Sequence, residues 1–137
     1  MTFRVIKSLT PFTKARLYLV HLDTHANLPS QLILKAYDPR FFNEERYPNV
    51  PWIPIRPWTL DAEYEATKRR VSAGEVEDDF DIVDRLYGDE RHEPWLWEEY
   101  YFRLSTRCFE SEFEACKRLV EVQGRSITKF YGYERYS

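Results

Sequence analysis

The chain has 137 residues, 43% hydrophobic and 17% aromatic, with four glycines and a net charge of −3. That length suits one domain with a real core, and the composition excludes global disorder and low complexity. No run of about 18 apolar residues occurs, and the charged start MTFRVIKSLTPF lacks a signal peptide's apolar centre, so no spanning or secretory segment is expected.

FRVIKSL reads as a first strand, closed by the turn-like TPFT. RLYLVHLD alternates cleanly, with Leu17, Leu19 and His21 on one face and Tyr18, Val20 and Leu22 on the other. After the loop DTHANLPS, the run Leu32, Ile33, Leu34 ending in Lys35 suits a central strand buried on both sides. Three consecutive strands with short links make an antiparallel meander.

A long insertion, about residues 38–105, follows. Pro48, Pro51, Pro54 and Pro57 recur every third residue, the period of polyproline II, so they share one edge. Trp52, Ile55 and Trp58 form a second edge, and Val50, Ile53 and Arg56 the third. Two apolar edges predict an extended segment packed onto its own domain, in preference to an exposed recognition motif. Thr59 is placed to cap a helix through LDAEYEATKRRVSA, with acids at its start and Lys68, Arg69 and Arg70 at its end, as the macrodipole favours. WLWEEYYFRL after Pro94 is a second, aromatic helix. The capping box Ser111–Glu114 marks a third helix, with Glu112, Ala115, Cys116, Leu119 and Val122 near one face and Gly124 as its stop. SITKFYGYER reads as a fourth strand.

Charge is unevenly spread. Residues 1–58 hold eight Lys/Arg against four acids, and residues 59–100 hold five against fourteen, concentrated in GEVEDDFDIVDRLYGDERHE. A solvated acidic run of this kind argues against nucleic acid as the main partner. His21, His25 and His92 share no metal-ligand spacing, and Glu90, His92 and Glu93 would hold a cation only weakly. Cys108 and Cys116 provide no disulfide framework; two reduced thiols point to the cytosol or nucleus.

Strand, strand, strand with lysine, helix with glutamate, strand is the order that opens a protein-kinase small lobe. LILK resembles that family's lysine strand, with Ile33 where a small alanine belongs. KSLTPFTKARLYLV, YDPRF, WLWEEYYFRLS and LVEVQGRSITKFYGYE are similar to segments of fungal protein-kinase-like domains, and together they span nearly the whole chain. The resemblance implies an α+β fold, with a four-stranded antiparallel sheet, one principal helix and a largely helical insertion, as one domain over residues 1–137. It implies an ion pair between Lys35 and Glu112, with Glu114 the second choice. It also implies a degenerate nucleotide loop in which Thr10 and Phe12 stand at the first two glycine positions, Ala15 at the third, and Leu17 at the adenine-covering valine.

The chain contains no H-R-D-x-x-x-x-N catalytic loop and no D-F-G metal motif; Asp-Phe-Asp in EDDFDIV precedes the helix and lacks the glycine. The expectation is therefore a pseudokinase-like, non-catalytic binding or scaffold module, or a truncated kinase product. It has no catalytic residues, no metal site and no cofactor, and ATP with Mg²⁺ enters only if the chain is the ATP-binding lobe of an active kinase. The implied partner is a protein or a missing large lobe, with no membrane role and with possible self-association. A further alternative is an interaction protein that presents the proline ladder.

Overall fold

The computed structural model describes residues 2–10, 14–24, 27–72 and 93–134. Phe12, His25, Glu90, His92 and most of the acidic run lie outside them. The architecture is α+β. Strands β1 (Phe3–Leu9), β2 (Arg16–Leu22) and β3 (Gln31–Ala36) form one antiparallel sheet in the order β1-β2-β3. β2 pairs with β3 from Arg16↔Ala36 to His21↔Gln31, and Ile6 is the extra residue where the β1–β2 register shifts. This alternation puts Val20 and Leu22 on the buried side of the sheet, as a period of two requires.

β3 is an edge strand of the described sheet, not the centre of one. Ile33 is 51% exposed, and Lys35 shares its face, so the apolar run is half-buried, on the Leu32 and Leu34 side only. The expected fourth strand is also absent among the described residues. Chain 123–127 makes a tight turn closed by a Gly124 N–H to Ile127 C=O bond of 2.8 Å, and Gln123 and Ile127 form an isolated bridge. Gly124 sits at φ 75° and Gly132 at φ 144°, conformations that side-chain-bearing strand residues avoid. Gln123 further engages the segment: its Oε1 accepts the Phe130 N–H at 2.9 Å while its Nε2 donates to the Cys116 carbonyl at 2.7 Å. A backbone donor that a ladder would need is thereby spent on a side chain.

Asp38 turns the chain out of β3. It caps a 3-10 turn (Pro39–Phe41) by accepting the Arg40 N–H, and the one-turn helix α1 (Asn43–Arg46) follows. Helix α2 (Leu60–Ser72) starts at Thr59, whose Oγ1 accepts the Ala62 N–H at 3.3 Å, as the cap residue predicted. Helix α3 (Pro94–Arg118) runs unbroken for 25 residues. The two helices expected across 95–118 are thus one, and Ser111 lies in its interior instead of capping it. Phe102, Arg103, Leu104 and Ser105 offer no glycine or proline at which to stop. The helix ends at Arg118 with Leu119 as its cap, five residues before Gly124, and the 3-10 turn Val120–Val122 fills the gap.

Among the described residues, a buried hydrophobic cluster lies in the insertion. Phe42, Leu96, Trp97 and Tyr101 pack together, with Trp95, Tyr100 and Leu104 around them. Ala62 and Ala66 are the buried positions of α2, small enough to let it lie close against α3. In this cluster Arg46 is 1% exposed and makes a two-pronged ion pair with Glu98, 2.7 Å for each prong. Its Nε donates to the Pro39 carbonyl at 2.9 Å, and the guanidinium lies 4.4 Å from the Tyr101 ring centre. Glu99, also buried, accepts from both Arg70 and Arg103.

The proline segment departs from its expected form. Ile53 N–H donates to the Val50 carbonyl at 3.1 Å, a turn that interrupts the ladder at Pro51–Trp52, whereas polyproline II has no internal bonds. Trp52 is 82% exposed and Ile55 is exposed too, so that edge does not pack onto the domain; Trp58 alone of the three is half-buried.

Candidate functional site

Strand alternation puts Lys35 and Tyr37 on the same side of the chain, two residues apart. Helix α3 brings Glu112 to them. Lys35 Nζ and Tyr37 Oη both donate to Glu112 Oε2, so the expected lysine–glutamate contact is present, with tyrosine as a second donor. The Lys35 and Glu112 side chains keep 38% and 45% of their surface exposed, so this is a solvent-accessible ion pair, worth about 0–1 kcal/mol. Glu114 faces elsewhere and accepts from Lys117 and, at 3.0 Å, from Arg118.

The pair borders an open pocket of about 450 Å³ lined by Lys14, Ala15, Lys35, Tyr37, Arg107, Cys108, Ser111 and Glu112. Of the expected loop residues, Ala15 is buried in this lining, and Leu17 lies directly opposite Lys35 in the β2–β3 register. Thr10 is exposed and is not part of the lining. Lys14 pairs with Glu45 and sits 5.8 Å from the Phe42 ring centre, which ties the pocket rim to the insertion core.

The electrostatics follow from this contact. Partial burial pushes Glu112 up, but the hydrogen bonds from Lys35 and Tyr37 outweigh it and hold the carboxyl below its ordinary 4.5. Burial first, then the bond to the Glu112 carboxylate, pushes the Tyr37 phenol far above its ordinary 10. Both groups are therefore fixed in the donor–acceptor pattern seen, with Glu112 ionised and Tyr37 protonated.

The helix face that supports Glu112 is not the one its apolar spacing suggested. Ala115, Leu119 and Val122 are exposed. Packing runs instead through Phe109 and Phe113, stacked 5.9 Å apart, with Tyr37 edge-on to Phe109 and with Phe130 and Tyr133 against Phe113 at 5.8 and 4.8 Å. The sequence analysis gives no site role to Tyr37, Lys14, Arg107, Cys108 or Ser111. Two of them carried a signal: Tyr37 is in strand phase with Lys35, and Cys108 precedes Glu112 by one helical turn. Among the described residues, no group of three or more His, Cys, Asp or Glu is arranged to hold a metal ion, and no helix is long and apolar enough to cross a membrane.

No protein-family model, no curated protein and no solved structure matches this chain.

Proposed function

We propose that the chain is a protein-kinase-like small lobe that works as a non-catalytic binding module. The observation that carries this reading is the Lys35–Glu112 ion pair, formed between the third strand and a helix 77 positions later, beside an open pocket. In kinases a strand lysine and a helix glutamate meet in this way to hold nucleotide phosphates. The meander order and the pairing of Leu17 with Lys35 add support. The non-catalytic half of the reading rests on the sequence. Thr10 and Phe12 stand where a phosphate loop needs glycine, Ile33 adds bulk on the Lys35 face, and the catalytic-loop and D-F-G motifs do not occur in these residues. Such a module acts by docking a protein. Exposed Val120, Val122, Ile127 and Tyr131, beyond the end of α3, are the surface offered to a large lobe or to another partner.

Thermal denaturation with and without Mg-ATP tests this reading. A ligand stabilises by RT ln(1 + [L]/Kd), so a site far weaker than millimolar leaves the midpoint unmoved at millimolar nucleotide. The expected shift is within error for the wild type and for Lys35→Ala. A rise of several degrees that disappears in Lys35→Ala would assign the chain instead to the ATP-binding lobe of an active kinase.

A further inference from the structure

The segment PNVPWIPIRPW, residues 48–58, carries one charged residue, Arg56, in a chain that is 31% charged. Its inward and outward residues alternate with a period of three. Val50, Ile53 and Arg56 are half-buried, while Pro51, Pro54, Pro57, Trp52 and Ile55 are exposed.

Arg56 is the anchor. Its N–H donates to the Arg46 carbonyl at 2.7 Å, and its own carbonyl accepts from Arg46 Nη1 at 3.2 Å. Its guanidinium lies 3.5 Å from the Trp97 ring centre. The mount is therefore Arg46, which is 1% exposed and itself held by Glu98. On either side of the anchor the backbone has little freedom. Pro54 and Pro57 have φ fixed by their rings, and Ile53 and Arg56, each preceding a proline, are steered to extended conformations. Pro54, Ile55 and Pro57 thus stand on a restrained backbone with their side chains exposed. The ordering entropy that a free peptide loses on binding has already been lost in folding.

We propose that residues 52–57 are a docking segment for a folded protein domain with an aromatic-lined, proline-reading groove. Pro54 and Pro57 have the two-proline spacing that such grooves accept, and Trp52 supplies a large exposed side chain of the type that dominates interface energies. A second copy of the chain fits less well. Its open pocket presents a single aromatic, Tyr37, among Lys14, Lys35 and Arg107.

The test titrates the purified full chain with a set of isolated SH3 and WW domains and follows binding by calorimetry. The expected result is micromolar binding by at least one domain. Trp52→Ala and Pro54→Ala/Pro57→Ala should each weaken it by roughly tenfold or more, with Val71→Ser, on α2, unchanged as an exposed apolar control. Trp52 is so exposed that its replacement leaves folding intact, which the urea midpoint verifies, so loss of binding in that variant is a loss of contact. Absence of binding by every domain would overturn the proposal, as would binding that survives both variants. Light scattering that shows self-association abolished by Trp52→Ala would overturn it in favour of a second copy.

Discussion

Replacing Glu98 by alanine strands a charge in the best-packed part of the protein. Arg46 is 1% exposed, and Glu98 supplies both of its charge-neutralising contacts. The two carbonyls that remain, Pro39 and Arg56, are dipoles and do not neutralise the guanidinium. Breaking a buried pair from one side costs about 3–5 kcal/mol, a large share of the roughly 5–15 kcal/mol that holds a domain together. At roughly 3–5 °C per kcal/mol for a chain of this size, the melting midpoint should fall by roughly 10–20 °C. Glu98→Gln keeps the shape and one acceptor and should cost less. Arg46→Met/Glu98→Met should be milder than either one-sided change, although the Pro39 and Arg56 carbonyls then lose their donor, at about 1–3 kcal/mol each. Urea denaturation followed by circular dichroism and tryptophan fluorescence measures all four proteins. A Glu98→Ala midpoint within about 0.5 kcal/mol of wild type, the range of ordinary surface changes, would refute the reasoning.

The exposed Lys35–Glu112 pair should behave oppositely: a double-mutant cycle with Lys35→Met and Glu112→Gln should give a coupling of about 0–1 kcal/mol that shrinks in high salt, and a larger salt-insensitive value would contradict the exposure seen here. Because the folded Glu112 carboxyl lies below its ordinary 4.5, its contribution is complete above that pH and disappears as pH falls through the folded value; acid titration of wild type against Glu112→Gln should therefore converge at low pH. The raised Tyr37 phenol runs the other way, so it should stay protonated past pH 10, and the alkaline ultraviolet difference between wild type and Tyr37→Phe should show no step near the ordinary value. Gly124→Ala meets no atom within 4 Å but must adopt φ 75°, so it should cost roughly 1–2 kcal/mol by urea titration. Chromatography with light scattering should show concentration-dependent self-association through Val120, Val122, Ile127 and Tyr131, weakened by Val120→Ser; a clean monomer at high concentration would remove that surface from consideration.

The three strands were legible because alternation and short polar links act within a few residues, and Thr59 signalled α2 by the same local chemistry. The Lys35–Glu112 contact was also legible, through the resemblance to a kinase small lobe. What the sequence hid was non-local or cumulative. Nothing in NEER marks Arg46 as a core residue, since its partner is 52 positions away and the pair is defined only once α1 meets α3. The capping box at Ser111 looked like a beginning, yet a cap takes effect only where the preceding turn is not already helical, and aromatic packing carried α3 straight through. The apolar run of β3 suits a central strand, but a run of three cannot specify whether one face or both will find neighbours. The proline spacing was real, and a single Val50–Ile53 hydrogen bond was enough to bend it.

One long helix serves two neighbourhoods. Leu96, Trp97 and Tyr101 root α3 in the insertion core, and Glu112 sits near its other end. From Glu98 to Glu112 is about 21 Å at 1.5 Å per residue. The rod therefore works as a lever with its fulcrum among the aromatic rings: a tilt of about 5° there carries the far carboxylate almost 2 Å, enough to part it from Lys35. Arg56, stacked on Trp97, bears on the short arm, and the gap between lysine and glutamate is the pointer on the long one.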